Sequence, residues 1–233
     1  MNPVHCHISS LSIGYENKVV QADMNLSFRQ GELVCLLGPN GCGKSTLLRT
    51  LSGLQPPLAG SFTIPKTALV LTRAEGLTDA TVYDVVALGR YPYTSFLGGL
   101  TEEDRRIIED SLNVVGMSGV GDRLFSSLSD GERSRVLIAK AIAQQTPVIL
   151  LDEPTAHLDL PNRIRLFGLL IRLAHEDGKT ILIATHELEL AMRYSDRILL
   201  MAKSVVLDTA DALRNTDAFT QAFGLDIFHP YTR

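Results

Sequence analysis

Cysteine is scarce in this sequence and tryptophan is absent from it. Among 233 residues, cysteine occurs three times, as Cys6, Cys35 and Cys42, and aromatic residues make up only 6%. Three unevenly spaced cysteines are too few for a disulfide framework or a four-cysteine metal site. We therefore expect the chain to work in a reducing compartment, the cytosol.

The sequence also lacks a strong charge excess and any long hydrophobic run. It has 22 lysines and arginines against 26 aspartates and glutamates, a formal net charge of -4, which argues against a nucleic-acid binder that acts by neutralising phosphates. The longest apolar runs, such as 148–151 and 181–184, are far shorter than the ~20 residues that cross a bilayer. The N-terminal stretch has no basic segment followed by an apolar one, so we expect no secretory signal. A membrane role would have to come through a partner.

What the sequence does contain is the composition of a globular protein. Hydrophobic residues make up 45% and charged residues 21%, and the mean hydropathy is +0.12. The chain is therefore slightly more apolar than a freely soluble monomer needs, which indicates a surface buried against a partner. Its length predicts one large domain or two closely packed ones, and we expect a single domain over residues 1–233.

Short apolar runs alternate with longer helical patterns along the chain, which is typical of an α/β fold with a mostly parallel sheet. The predicted buried strands are 33–37, 68–71, 148–151, 180–184 and 198–201. The alternating stretch 4–13 predicts an antiparallel β edge at the N-terminus. Helical spacing at 81–89 and 102–115 predicts a helical subdomain of about 78–145, inserted into a core of about 1–77 and 146–233.

A glycine-rich loop is the strongest local signal. It follows the predicted strand 33–37, precedes a helical pattern, and reads Gly38-Pro39-Asn40-Gly41-Cys42-Gly43-Lys44-Ser45-Thr46. In this setting the glycines allow main-chain N–H groups to surround a phosphate, Lys44 supplies a positive charge, and Ser45 offers a hydroxyl to Mg²⁺. A glycine turn that merely caps a helix is the alternative. The strand–loop–helix context favours a P-loop NTPase core that binds ATP.

Two adjacent carboxylates follow a second predicted strand. Asp152 and Glu153 come directly after the run 148–151, at the strand end where α/β folds bind ligands. We expect Asp152 to serve Mg²⁺ and Glu153 to polarise the water that attacks the γ-phosphate. An acidic pair that caps a helix is the alternative, and the glycine loop makes it the weaker one.

A second helix start also has the features of an anion site. Ser129 and Glu132 have the spacing of a capping box, which explains both residues without any ligand. Gly131 lies in the first helical turn, where glycine costs about 1 kcal/mol relative to alanine. Close approach of a ligand to the backbone would explain it. The chain thus has two predicted phosphate-binding helix starts and one nucleotide loop, so two chains placed head to tail would bring one site opposite the other.

Taken together, these motifs resemble the nucleotide-binding ATPase subunit of an ABC transporter over essentially the whole chain. The motifs are, in order, the aromatic Tyr15, the Walker A loop 38–46, the signature sequence 128–132, Walker B at Asp152 with Glu153, a D-loop-like Ala156-His157-Leu158-Asp159, and the switch histidine His186.

The resemblance implies a role for each motif. It implies that Tyr15 stacks on adenine, that Glu153 is the catalytic carboxylate and that His186 contacts the γ-phosphate. It also implies a homodimer in which the signature binds the partner's ATP. The signature residues concerned are Ser129, Asp130, Gly131 and Glu132. Taken alone, Tyr15 could be a surface aromatic and His186 a helix cap.

Within this family, the stretch 81–93 followed by 100–104 is similar to the ATPases of importers for iron-siderophores, haem and cobalamin. Such proteins pair with a permease and, indirectly, with an extracytoplasmic solute-binding protein. The resemblance therefore implies a peripheral position at the cytoplasmic face of the cell membrane and no nucleic-acid partner.

One position departs from the family pattern. The family has a glutamine after the strand 68–71, where it reaches Mg²⁺ and faces the permease, and this chain has Thr72. We expect Mg²⁺ to be coordinated by Ser45, Asp152 and the phosphates, with Thr72 or the nearby Glu75 contributing through water.

Two other functions fit part of the pattern. A soluble ABC ATPase without a permease, acting in cofactor assembly or on nucleic acid, would carry the same motifs. A monomeric P-loop kinase would leave the signature 128–132 without a role.

Overall fold

The computed structural model describes residues 3–16, 18–71, 79–94, 99–156 and 158–224. Within these residues the strands are β1 (Val4–Tyr15), β2 (Lys18–Arg29), β3 (Leu33–Leu37), β4 (Ala59–Thr63), β5 (Thr67–Leu71), β6 (Val148–Asp152), β7 (Thr180–Ala184), β8 (Arg197–Met201) and β9 (Val205–Asp208). The helices are α1 (Lys44–Leu51), α2 (Val82–Ala87), α3 (Glu102–Val114), α4 (Asp130–Ala143), α5 (Leu160–His175), α6 (Leu188–Tyr194), α7 (Ala210–Arg214) and α8 (Ala218–Phe223). Short 3₁₀ turns cover Leu88–Tyr93 and Phe125–Ser127.

The described strands form two sheets. The larger has the order β5-β6-β7-β3-β8-β9, and all its pairs are parallel except β8 with β9. The smaller is antiparallel, with the order β2-β1-β4. The predicted α/β class with a mostly parallel sheet is therefore confirmed. The alternating N-terminal stretch is antiparallel as expected, and it lies in the centre of its own sheet.

Strand β3 lies inside the larger sheet and is buried on both faces. Leu33, Cys35 and Leu37 pack with the helices on one side, and Val34 and Leu36 pack with α1 and the antiparallel sheet on the other. Full burial of each leucine contributes about 1.5–3 kcal/mol, which explains the uninterrupted apolar run. Burial also raises the pKa of the Cys35 thiol to about 12, so this cysteine is a neutral core group.

Between β5 and β6 the described residues form helices and 3₁₀ turns. Helices α2, α3 and α4 each begin with a capping box, whose Ser or Thr hydroxyl accepts a hydrogen bond from the third helical N–H. These boxes satisfy N–H groups that a helix start leaves free. In the described part of the chain, no helix is long and apolar enough to cross a membrane.

The hairpin of β8 and β9 forms without a glycine. Its turn is Ala202-Lys203-Ser204, where the Ala202 N–H donates to the Ser204 carbonyl oxygen over 3.1 Å, and Met201 pairs with Val205. These two contacts close the turn, so the hairpin does not require a glycine there.

A buried arginine ties the helical segment together. The Arg90 guanidinium donates to Asp104 Oδ1 over 2.8 Å, to the Ala143 carbonyl over 2.8 Å and to Gln145 Oε1 over 3.0 Å, and it lies 4.1 Å from the Tyr93 ring centroid. The pKa of Asp104 is lowered to about 2, mainly by hydrogen bonds from the hydroxyl and N–H of Thr101 and then by Arg90. The ionised pair thus joins α3 to the C-terminal end of α4.

We expect Asp104→Asn to lower the unfolding temperature at pH 7, because it leaves the buried Arg90 charge without its carboxylate. Because folding lowers the pKa of Asp104, its ionised carboxylate stabilises the fold at pH values above about 3.9, which is the pKa of aspartate in the unfolded chain. This stabilisation is lost as the pH falls through about 2, the pKa in the folded protein. The difference between wild type and variant should therefore shrink below pH ~4. Thermal unfolding followed by circular dichroism between pH 7 and 2 measures it.

The matched control is Asp84→Asn. Asp84 forms the same capping box on α2, and in the described residues it has no arginine partner. Equal losses of stability in the two variants would show that the capping box, and not Arg90, accounts for the effect.

Candidate active site

The glycine loop leaves β3 in a conformation that only glycine fits at two positions. Gly38 has a φ of 152° and Gly43 a φ of 105°. A Cβ atom on Gly38 would lie 2.0 Å from the Met201 carbonyl oxygen, and one on Gly43 would lie 2.8 Å from Val20 Cγ1. The loop is therefore pressed between the end of β8 and strand β2, while Pro39, Asn40 and Gly41 between them are exposed.

Lys44 lies buried at the base of this loop. Its side chain is only 6% exposed, and its ammonium group donates to the Gly38 carbonyl over 2.8 Å and to the Pro39 carbonyl over 3.4 Å. Both acceptors are uncharged carbonyl oxygens, and among the described residues no carboxylate forms an ion pair with this ammonium group. A buried cation without a carboxylate partner, beside exposed main chain, fits a site for an anion such as a phosphate.

The first turn of α1 is joined to the end of β6. Ser45 Oγ donates to Asp152 Oδ1 over 2.8 Å, although the two residues are 107 positions apart. A hydroxyl and a carboxylate are hard oxygen ligands of the kind that Mg²⁺ accepts. The two oxygens predicted for Mg²⁺ are thus neighbours in the fold. Thr72 and Glu75, the other two candidates, lie outside the described residues.

Glu153 and His186 lie together at the ends of two adjacent strands. The Glu153 N–H donates to the carbonyl oxygen of Ala184, the last residue of β7, over 3.0 Å. His186 Nε2 and Glu153 Oε1 are 2.8 Å apart, and the two side chains are 47% and 41% exposed. Glu153 has a φ of 52°, a left-handed conformation that is uncommon for this residue type. The backbone thus turns sharply where the carboxylate faces the imidazole.

Tyr15 lies at the end of β1, beside the start of α1. Its hydroxyl is 3.1 Å from Thr46 Oγ1, and the residue is 49% exposed. An exposed ring held by its hydroxyl at the start of α1 offers a face on which a planar group can stack.

The second predicted helix start has the expected capping box. The Ser129 hydroxyl accepts from the Glu132 N–H over 3.4 Å and donates to Glu132 Oε2 over 2.9 Å. The pKa of Glu132 is lowered by hydrogen bonds from the N–H and hydroxyl of Ser129, with a further contribution from Arg123. Ser129 and the neighbouring Asp130 are exposed.

Gly131 has a neighbour within its own chain that the sequence does not reveal. A Cβ atom at this position would lie 3.3 Å from Asn162 Nδ2, on the first turn of α5. That turn begins at Asp159, whose Oδ1 accepts from the Asn162 N–H over 3.0 Å. Close packing against α5 is therefore a reason for the glycine besides the approach of a ligand. His157 of the D-loop-like segment lies outside the described residues.

The structure therefore forms two clusters from the predicted residues. Hydrogen bonds join Tyr15 to Thr46, Ser45 to Asp152 and Glu153 to His186, all at the loop or the carboxyl ends of β6 and β7. Gly131 of the signature instead lies beside Asn162, in the first turn of α5.

One residue that the sequence analysis did not identify supports the loop. The Gln21 amide donates to the Cys42 carbonyl over 3.0 Å and to the Ala202 carbonyl over 2.7 Å, and Gln21 is 8% exposed. It thereby connects β2, the loop and the turn between β8 and β9. The available signal was a polar residue at an inward position of an alternating strand.

Three comparisons place these features among known proteins. The family model for the ABC transporter matches residues 21–156, more than half of the chain. The chain is 39% identical over 232 residues to the iron(3+)-hydroxamate import ATP-binding protein FhuC of Bacillus subtilis, covering 93% of this chain and 86% of that protein.

Solved structures give the same result. A structure described as a metal-chelate type ABC transporter in an inward-facing conformation aligns with a TM-score of 0.90 and 30% identity, over 96% of this chain and 90% of that one. A bacterial ABC transporter cassette in dimeric form aligns with a TM-score of 0.76 and 25% identity, over 88% of this chain and 98% of that one.

We expect Gln21→Leu to weaken nucleotide binding about tenfold, or ~1.4 kcal/mol, because two carbonyls of the loop and its neighbouring turn lose their donor. Calorimetric titration with ATP measures the change. Gln221→Leu, at an exposed glutamine on α8, is the control. Unchanged affinity in Gln21→Leu would show that the loop holds its shape without this support.

Proposed function

The chain belongs to the ABC transporter family as an ATP-hydrolysing subunit, and on this premise we propose that it powers the import of a metal chelate as a head-to-tail dimer. The observation that supports ATP hydrolysis in this proposal is the joint position of Lys44, the Ser45–Asp152 pair and the Glu153–His186 pair at the loop after β3 and the ends of β6 and β7. This arrangement supplies an anion site, a cation site and a carboxylate within one edge of the sheet.

ATP would bind along the loop. In this proposal the exposed face of Tyr15 stacks on the adenine ring, and the main chain of residues 38–46 surrounds the β- and γ-phosphates. The Lys44 ammonium leaves the Gly38 carbonyl to contact the phosphate oxygens. Because Lys44 is buried and has no carboxylate partner among the described residues, the negative phosphates compensate its charge.

Ser45 and Asp152 fit a Mg²⁺ ion that accompanies the ATP. Their oxygens already lie 2.8 Å apart, and both belong to the class of ligand that Mg²⁺ takes. When bound, the ion would neutralise charge on the phosphate oxygens. From the sequence, Thr72 would contribute through water.

Hydrolysis requires a water molecule in line with the γ-phosphate. Glu153 orients this water and accepts its proton as the water oxygen bonds to phosphorus, while the bond from phosphorus to the ADP oxygen breaks and inorganic phosphate leaves. His186 contacts a γ-phosphate oxygen. Since the two side chains bond to each other at 2.8 Å, that hydrogen bond must open before Glu153 and His186 reach the water and the phosphate.

The second copy completes each site. Ser129, Asp130, Gly131 and Glu132 start a helix of 14 residues, and such a start attracts anions. In the proposed head-to-tail dimer, these residues meet the γ-phosphate of the ATP that the partner's loop holds. Asp159 lies on the same side, beside Asn162 and Gly131.

The proposed cargo is a ferric siderophore, haem or cobalamin-type metal chelate. The sequence stretch 81–93 and the iron-hydroxamate relative, which the chain matches over 93% of its length, support this class. A permease would carry the chelate, and an extracytoplasmic solute-binding protein would deliver it. The chain would lie at the cytoplasmic face of the membrane. A soluble ABC ATPase is not favoured, because the relative that matches nearly the whole chain is an import ATP-binding protein.

We expect Glu153→Gln to slow ATP hydrolysis by at least about a hundredfold, because the amide cannot accept the water's proton. ATP binding should remain, so the variant should form a stable dimer with Mg-ATP on size-exclusion chromatography. Glu176→Gln, at the exposed end of α5, is the control for hydrolysis. A monomeric Glu153→Gln variant with wild-type turnover would contradict the assignment.

The cargo is tested by uptake of radiolabelled iron supplied as a hydroxamate chelate, in cells from which the gene has been deleted. Wild type on a plasmid should restore uptake, and Glu153→Gln should not. Cyanocobalamin and haem uptake are measured in parallel, since the proposal covers all these chelates. Normal uptake of every one of them in the deletion strain would contradict the proposed cargo class.

A further inference from the structure

Arg163, on the first turn of α5, links the segment before α5 to the segment that carries His186. Its Nε donates to the Leu158 carbonyl over 2.7 Å. Its Nη1 lies 2.8 Å from each carboxylate oxygen of Glu187. The two side chains are 33% and 22% exposed, so this ion pair is only partly open to solvent.

The Glu187 end of this link leads directly to His186. The Glu187 N–H donates to Thr185 Oγ1 over 3.1 Å, and Thr185 Oγ1 is 3.3 Å from Thr155 Oγ1. Both threonines are buried. His186 therefore lies between Thr185 and Glu187, which are both held by hydrogen bonds. The ion pair with Arg163 holds the Glu187 side chain.

The Leu158 end leads to the surface proposed to meet the second copy. Leu158 immediately precedes Asp159, the cap of α5. Asn162, the neighbour of Arg163, lies where a Cβ on Gly131 would be 3.3 Å from its Nδ2. In the first turn of α5, Asn162 therefore lies beside Gly131 of the signature. The next residue, Arg163, contacts the segment that carries His186.

We propose that Arg163 is a positioning residue for ATP hydrolysis, which holds His186 and Glu153 in register with the Asp159 segment that meets the partner. The proposal rests on the proposed function. Docking of the second copy against Asp159 and Gly131 fixes the first turn of α5, and Arg163 transfers that constraint to Glu187 and so to His186. Arginine suits this position because its planar fork donates in two directions at once, whereas lysine offers a point charge.

The test compares Arg163→Met, Arg163→Lys, Glu187→Gln and the double variant Arg163→Met/Glu187→Gln. For each, kcat for ATP hydrolysis, the calorimetric Kd for ATP and the unfolding temperature are measured. We expect Arg163→Met and Glu187→Gln each to lower kcat roughly ten- to hundredfold, since small displacements of a catalytic group have effects of this size. The Kd should stay within about twofold.

Two further results separate positioning from a general structural role. The double variant should be no slower than the slower single variant, because both changes break one link. Arg163→Lys should retain an intermediate kcat, which keeps the proposal testable if Arg163→Met unfolds. Arg165→Met, at an exposed arginine on the same helix, is the matched control and should leave kcat unchanged.

Any one of three results would overturn the proposal. These are a wild-type kcat in Arg163→Met, additive losses of kcat in the double variant, and a loss of kcat in Arg165→Met equal to that in Arg163→Met. Its failure differs from failure of the proposed function, because Glu153→Gln would remain inactive in the first case. If Glu153→Gln hydrolyses ATP normally, the catalytic assignment itself is wrong.

Discussion

The hydrogen bond from Ser45 to Asp152 is the contact on which the proposed centre depends, because it joins the helix after β3 to the end of β6 over a gap of 107 positions. Strand β7 lies between β3 and β6 in the sheet, so the residues that follow β7 come next to the same contact. This order of strands brings His186 to Glu153. The two pairs together define where a phosphate chain and an attacking water would meet.

Contacts from β2 and from the end of β8 hold the loop. Gly38 lies against the Met201 carbonyl, Gly43 lies against Val20, and Gln21 bonds to the Cys42 carbonyl. These contacts restrain the loop from the protein side, which reduces the entropy that the loop would lose on binding a ligand. The signature residues have their own capping box at the start of α4, and Gly131 lies beside Asn162. The Ser134 hydroxyl donates to the Pro154 carbonyl oxygen over 3.1 Å, so α4 also contacts the segment that follows β6. The proposed dimer rests on the two helix starts, of α1 and of α4, that are predicted to bind phosphate.

Local sequence patterns predict many of the strands and helices, but they do not predict the tertiary contacts. Strands β3 and β7 are observed at their predicted bounds, since strands covered on both faces are apolar without interruption. Strand β4 was not predicted, because most of its residues are exposed and carry no such pattern. The positions of Gln21 and Arg163 depend on partners that only the folded chain brings near. The same holds for Gly131, whose neighbour Asn162 belongs to another helix. The roles assigned to Glu153, His186 and Ser129 remain predictions.

We propose that each ATP is held by Lys44 of one copy and by Ser129 of the other. Calorimetric titration of ATP into Lys44→Ala and Ser129→Arg, combined with size-exclusion chromatography in the presence of Mg-ATP, tests this arrangement. We expect Lys44→Ala to lose ATP binding, and we expect Ser129→Arg to bind ATP as a monomer that neither dimerises nor hydrolyses it. An equal loss of ATP affinity in both variants would contradict the head-to-tail arrangement.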